Sequence, residues 1–222
     1  MLKQILDVLR KRSVMIEVEA ELRQMLTLSK SLFDAASGAF AEGTEVGFDL
    51  YARDREINAR VVDIRKKIVE HLAVSESKAV SGELVFITLI NDIERIGDYS
   101  KNLLEIARAL DGPPLAGRYL DQIRAARPGI LLAFDESEKA LFDSDQGAAH
   151  AVIERHANLS EVCEGIVKEL LRDQHMKARD AVAFALTARY LKRISSHLKN
   201  VASSAVNPFS LIGYKQNPDA TI

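Results

Sequence analysis

The chain has 222 residues, with 30 Lys and Arg against 32 Asp and Glu, which gives a formal net charge of −2 at pH 7. Hydrophobic residues make up 47% of the chain, so the composition is that of a globular protein and excludes a disordered one. The near-neutral balance disfavours nucleic acid as a partner, because nucleic-acid binders need a basic surplus to displace counterions from phosphates.

Three helices are predicted in the first half, because apolar residues recur at helical spacing and almost none alternate as in a strand. The first covers about residues 2–40. Thr44 is predicted to cap the second, which continues to about residue 72. The third carries its apolar face over residues 86–106.

Three more helices are predicted at about residues 117–142, 146–172 and 177–205. Between the halves, Gly112-Pro113-Pro114 cannot continue a helix and marks the junction. The predicted fold class is therefore all-α, with two tandem antiparallel three-helix bundles of up-down helices over residues 1–112 and 113–206. Residues 207–222 are predicted to form a loose tail.

The two halves share a sequence repeat. Residues 94–102 read ERIGDYSKN and residues 192–200 read KRISSHLKN, so Arg, Ile, Lys and Asn recur at a constant offset of 98. A second similarity relates residues 53–57 (RDREI) to residues 155–159 (RHANL) at an offset of 102. The repeat indicates two bundles that share the same three-helix fold.

Cysteine content and hydropathy indicate in which cellular compartment the protein lies. Cys163 is the single cysteine, so the chain cannot close an internal disulfide. The longest strongly apolar stretch covers residues 84–90, whereas a membrane-spanning helix needs about 20 residues. The N-terminus lacks the apolar block of a signal peptide. These features predict a cytoplasmic protein.

Glu94 and Asp98 form the main candidate site, because they lie four residues apart and project from one face of the third helix. A hard cation bound through oxygen ligands would compensate their repulsion, with further carboxylates from the second helix. That helix offers Asp54, with Asn58 one turn later and Asp49 and Glu56 nearby. The alternative is a solvated helix face, with Asp98 near Lys101 and Arg95 close to both acids.

Other chemistry finds little support in the sequence. A di-iron bundle enzyme requires Glu-x-x-His pairs, and none of the five histidines has an acid three residues before it. Cys163 is predicted to be a small core residue rather than a nucleophile. Surface or capping roles are expected for the histidines. No phosphate loop or catalytic triad pattern is present, so an enzyme is not predicted.

Residues 91–102 read NDIERIGDYSKN and resemble the signature NDLERIGDxxxN of the PhoU family. Residues 188–200 read ARYLKRISSHLKN and resemble the second copy in that family, ARYLERIGDHxxN. Two copies in order make the resemblance specific. It extends over about residues 10–205, with the tightest match in the third helix of each half.

The resemblance implies two three-helix bundles in tandem, a cytoplasmic location, and multinuclear iron or zinc clusters held by Glu/Asp-x-x-x-Asp motifs. Glu94 and Asp98 match the motif, and Asp54 matches the acidic position of the family's second helix. Manganese or magnesium would also suit these ligands, and a metal-free chain is the alternative. The second half departs from the pattern, because its three equivalent positions hold Lys192, Ser196 and His156. Any metal is therefore expected in the first half only.

Three functions are considered, of which the first two follow from the resemblance and from this departure, while the third is disfavoured by the missing Glu-x-x-His pairs and catalytic residues. The first is a non-catalytic regulator of phosphate uptake and phosphate-starvation signalling that contacts a transporter subunit or a sensor histidine kinase. The second is a regulator of a different ion transporter, such as a sodium-phosphate symporter, and the third is a metal-dependent helical-bundle enzyme.

A homodimer is the expected assembly. Membrane contact is expected through the partner, helped by Arg10-Lys11-Arg12 or Arg65-Lys66-Lys67; for both clusters a solvated helix face is the alternative.

Overall fold

A computed structural model describes the backbone of residues 2–74, 81–110 and 115–213, and the side chains of residues 14–73, 82–110 and 115–213. The described residues contain six α-helices and no strand, which confirms the predicted all-α fold class. The helices are α1 (Leu2–Glu42), α2 (Leu50–Val74), α3 (Ser81–Ala109), α4 (Arg118–Asp143), α5 (Gln146–Leu170) and α6 (Ala178–Ser203).

The helices form two three-helix bundles that pack side by side. Helices α1, α2 and α3 contact one another, as do α4, α5 and α6, while α1 packs on α4 and α3 packs on α6. The α3–α6 pair is antiparallel, because Asp92 near the start of α3 meets Asn200 near the end of α6, whereas Tyr99 farther along α3 meets Tyr190. The repeated helices are therefore neighbours at the bundle interface.

One hydrophobic core runs through both bundles. On α3, four of the apolar residues that define the predicted stripe are almost fully buried: Leu89, Ile90, Ile93 and Ile96. Between bundles, the rings of Phe33 on α1 and Phe134 on α4 lie 5.9 Å apart. Within the described parts of the chain, no helix carries an apolar stretch long enough to cross a bilayer.

The predicted start of α2 at Thr44 is wrong. Helix α2 begins at Leu50, and the Asp49 carboxylate accepts hydrogen bonds from the backbone N–H groups of Tyr51 and Ala52 at 2.9 and 3.2 Å. Asp49 therefore satisfies the unpaired N–H groups that every helix N-terminus leaves.

Gly43 ends α1 before Thr44 is reached. It adopts a left-handed φ of 71°, and its N–H donates to the Ala39 carbonyl oxygen at 3.2 Å. This arrangement is a common helix C-cap, and glycine adopts it without steric cost. Thr44 consequently follows a helix end instead of preceding a helix start.

The loose tail predicted from residue 207 is wrong for the part that the structure describes. A short 3₁₀ helix forms at Phe209–Leu211, and the Gly213 N–H donates to Ser203 Oγ at 2.8 Å. Lys199 of α6 donates to the Gly213 carbonyl oxygen. These contacts fasten residues 207–213 onto the end of α6.

The predicted junction at Gly112-Pro113-Pro114 lies outside the described residues. Helix α3 ends at Ala109 and α4 begins at Arg118, on either side of it. The domain limits at residues 112, 113, 206 and 207 stay predictions.

Candidate functional site

Two of the three predicted site residues meet on the seam between α2 and α3, with a lysine between them. Lys101 Nζ lies 3.0 Å from Asp54 Oδ1 and 3.5 Å from Asp98 Oδ1. Arg95 Nη1 lies 3.4 Å from the other oxygen of Asp98. The pairing of Asp98 with Lys101 and Arg95, considered from the sequence, is therefore confirmed, and Asp54 completes the cluster.

The cluster is partly shielded from water. The side chains of Asp54 and Lys101 are 14% and 21% exposed. Burial by itself lowers the pKa of Lys101, but the hydrogen bonds and charges of Asp54 and Asp98 outweigh this effect and raise the pKa above its usual value. Lys101 is therefore a fixed positive charge at neutral pH.

Glu94, the third predicted ligand, is not part of this cluster. Its side chain is half-buried and makes no hydrogen bond or ion pair with any described residue. Across the parts of the chain whose side chains are described, no three His, Cys, Asp or Glu residues lie close enough together to hold a metal ion.

As it stands, this donor set does not fit a multinuclear metal centre. Such a centre needs several anionic ligands that converge, whereas here an ammonium group lies between the two carboxylates that do converge. A metal at Asp54 and Asp98 would have to displace Lys101. Metal binding at Glu94, Asp98 and Asp54 stays a prediction.

Gly97, inside the same motif, allows α2 and α3 to approach closely. A Cβ atom at this position would lie 3.0 Å from Ile57 Cδ1 of α2, tighter than ordinary packing contacts. The glycine of the motif thus has a packing role, since it brings the α2 carboxylate of Asp54 within reach of α3.

The second repeat replaces this arrangement with different polar contacts. Ser195 stands at the position equivalent to Gly97, and its Oγ lies 3.1 Å from His156 Nδ1 on α5. Lys192, at the Glu94 position, forms an ion pair with Glu164. The seam of the second repeat is therefore held by a histidine-serine contact and one ion pair.

The surface or capping roles expected for the histidines are wrong at three positions, one of which is His156, in contact with Ser195. His71 is 7% exposed, and its Nε2 lies 3.3 Å from the Glu83 carboxylate. His197 Nδ1 lies 2.7 Å from Asp92 Oδ1. Charged partners compensate the burial of these last two rings, as buried polar groups require.

Asp92 and His197 belong to a polar cluster at the α3–α6 interface. Asn200 Nδ2 also donates to Asp92 Oδ1 at 2.8 Å. The His197 ring stacks on Tyr99, with ring centroids 5.8 Å apart. Tyr99 and His197 occupy equivalent positions in the two repeats, so the repeats meet through matching residues.

The basic cluster of residues 65–67 is largely used inside the first bundle. Arg65 donates to Asn91 of α3, and Lys67 pairs with Glu21 of α1 and Asp63 of α2. Lys66 remains exposed. The side chains of Arg10-Lys11-Arg12 lie outside the described ones.

Cys163 is buried on α5, which confirms the core position predicted for it. Burial is the main cause that raises the pKa of its thiol from 9.0 to about 12, against the lowering effect of Lys192. At neutral pH this shift reduces the reactive thiolate about a thousandfold relative to an unshifted thiol.

We therefore expect Cys163 to react with a disulfide reagent such as dithionitrobenzoate at least about a hundredfold more slowly in the folded chain than in urea. The rates are measured at the same neutral pH, with free cysteine as the standard. Equal rates in the two states would contradict the buried position.

Comparison with known proteins identifies both repeats. The family model of the PhoU domain matches residues 22–107 and 129–205. A phosphate-specific transport system accessory protein PhoU homolog of Deinococcus radiodurans is 25% identical over 202 residues, covering 83% of this chain and 92% of that protein. The homolog of Synechocystis is 25% identical over 190 residues, covering 83% and 84%.

Two solved structures share the fold. The crystal structure of PhoU from Pseudomonas aeruginosa superposes with a TM-score of 0.76 at 18% identity, over 88% of this chain and 96% of that one. The phosphate transport system regulatory protein PhoU from Streptococcus pneumoniae gives 0.75 at 15% identity, over 90% and 95%. With the family model covering most of both bundles, the chain belongs to the PhoU family.

Proposed function

We propose that the chain is a non-catalytic regulator of phosphate uptake and phosphate-starvation signalling. It acts in the cytoplasm, as a homodimer, by contact with a phosphate transporter subunit, a sensor histidine kinase or both. The observation that carries this proposal is the match of both repeats to the PhoU domain. Relatives that align over most of their length are named as accessory proteins of phosphate-specific transport systems.

The contacts of the candidate residues support a non-catalytic role. Asp54 and Asp98 form ion pairs with Lys101 and Arg95 across α2 and α3, and these four charges balance. The single thiol, at Cys163, is buried with a raised pKa. These side chains stabilise helix packing, which suits a protein that acts through its surface.

A second candidate is regulation of a different ion transporter, such as a sodium-phosphate symporter. The second repeat favours it, because Lys192, Ser196 and His156 replace acidic positions of the motif, and Lys192 pairs with Glu164. This change of charge alters the surface that a partner would meet. A metal-dependent bundle enzyme is the weaker third candidate, since it needs a metal centre in the seam that Lys101 crosses.

The test is deletion of the gene in its native host with phosphate in ample supply. Phosphate uptake is followed with radiolabelled phosphate, and starvation signalling with a reporter for a phosphate-starvation gene. We expect uptake, reporter expression or both to change, and the wild-type gene to restore them. An unchanged uptake and reporter would defeat the proposal and favour regulation of another ion transporter.

Complementation then locates the repeat that matters. The variant Glu94→Ala/Asp98→Ala changes the first repeat, and Lys192→Ala/Ser196→Ala is the matched control in the second. Cross-linking in cells at high and low phosphate, followed by recovery of the tagged chain, identifies the partner. Recovery of a phosphate transporter subunit or a sensor kinase supports the proposal, whereas recovery of only an unrelated ion carrier contradicts it.

A further inference from the structure

The charged side chains around Lys101, on the seam between α2 and α3, balance one another without a metal ion. Asp54 and Asp98 contribute two negative charges, and Lys101 and Arg95 contribute two positive charges. A divalent cation added to this group would leave an excess of positive charge in a partly shielded place, which is electrostatically unfavourable. We propose that Lys101 is a built-in cation that substitutes for a bound divalent metal at Asp54 and Asp98.

The position of the ammonium group supports this assignment. It lies within ion-pair distance of both carboxylates, and these come from different helices 44 residues apart in sequence. A metal ion that joined α2 to α3 would take this same place. Lys101 therefore supplies both the charge and the cross-link that a metal would supply.

Comparison of the two repeats shows that the carboxylates, and not the lysine position alone, define this cluster. Lys199 is the equivalent of Lys101 in the second repeat, where Ser196 and His156 replace the two aspartates. Its ammonium group donates to the Gly213 carbonyl oxygen of the C-terminal segment. Lys199 is consequently a matched control for the removal of one lysine charge.

The inference does not depend on what the chain regulates, because it concerns only cation binding. The variants are Lys101→Met, which removes the charge and keeps the aliphatic length, and Lys101→Gln, which keeps a hydrogen-bond donor. Lys199→Met is the control. The ligands are tested with Asp54→Asn/Asp98→Asn and with the triple variant Lys101→Met/Asp54→Asn/Asp98→Asn. Each purified full chain is incubated anaerobically with Mn²⁺, Fe²⁺ or Zn²⁺ and desalted. Metal per chain is then measured by elemental analysis, and Tm is measured with and without EDTA.

We expect at least about tenfold more metal in a Lys101 variant than in the wild type or Lys199→Met. We also expect its Tm to fall in EDTA and to recover with the metal, whereas the wild-type Tm is the same in both. Both effects should disappear in the triple variant. A Lys101 variant that folds only with metal also supports the proposal.

Three results would overturn the proposal. The first is a wild-type chain that holds metal and loses it on Asp54→Asn/Asp98→Asn substitution. The second is that neither Lys101→Met nor Lys101→Gln takes up metal. The third is a gain of metal that persists in the triple variant or appears equally in Lys199→Met. The two Lys101 variants are judged together, so that misfolding of one does not decide the outcome.

Discussion

Substitution of Phe184 by alanine is expected to lower the free energy of unfolding by about 3–5 kcal/mol. Phe184 on α6 is 1% exposed. Its ring lies 6.5 Å from that of Phe40 on α1 and 5.7 Å from that of Tyr119 on α4. Removal of the ring opens a cavity between three helices of both bundles, and long helices cannot collapse to fill it.

Urea denaturation followed by circular dichroism measures this loss. Val182→Ala is the matched control, because Val182 lies on the same helix and is 57% exposed. We expect the control to change the free energy of unfolding by no more than about 0.5 kcal/mol. Similar values for the two variants would mean that Phe184 does not lie in a packed core.

Much of the fold was predictable because burial imposes helical spacing on the apolar residues. The stripe over residues 86–106 predicts α3, and Leu89, Ile93 and Ile96 are indeed buried. The start of α2 was not predictable in this way. Asp49 and Thr44 are both good capping residues, and the choice between them depended on how Gly43 ends α1.

The candidate site was predictable only where its contacts are local. The approach of Lys101 to Asp98 follows from their spacing on one helix. Its ion pair with Asp54 depends on how α2 packs against α3, which the Gly97 contact permits. Sequence spacing carries no information on such a contact, and so a metal site was a reasonable prediction where the structure has an ammonium group.

The contacts between the two bundles were the hardest to predict from the sequence. Asp92 and His197 are 105 residues apart, on helices of different bundles. The sequence repeat offered one indication of this contact, because Tyr99, which stacks on His197, occupies the equivalent position in the first repeat. Equivalent residues of two repeats that meet at an interface resemble the isologous contact of a symmetric dimer.

Substitution of Asp92 by alanine is expected to lower the free energy of unfolding by about 2–4 kcal/mol. The carboxylate accepts from two side chains of α6, at His197 and Asn200, and its side chain is 11% exposed. Removal of the acceptor leaves both donors without their partner in a place that water reaches poorly. An unpaired buried group costs more than the net value of its hydrogen bond.

A double-mutant cycle separates this contact from general packing. Asp92→Ala, His197→Ala and the double variant should give a coupling energy of about 1–2 kcal/mol. The same cycle on Lys66 and Glu70, an exposed pair 4.0 Å apart on α2, should give less than about 0.5 kcal/mol.

The coupling also reports how the two repeats cooperate, because Asp92 and His197 belong to different bundles. If the bundles unfold as one unit, both single variants keep a single transition with an unchanged denaturant slope. A coupling energy no larger than that of Lys66 and Glu70 would mean that Asp92 and His197 are not hydrogen-bonded in solution. If the wild type unfolds in one transition and Asp92→Ala in two, the contacts of Asp92 with His197 and Asn200 are what makes the two repeats unfold together.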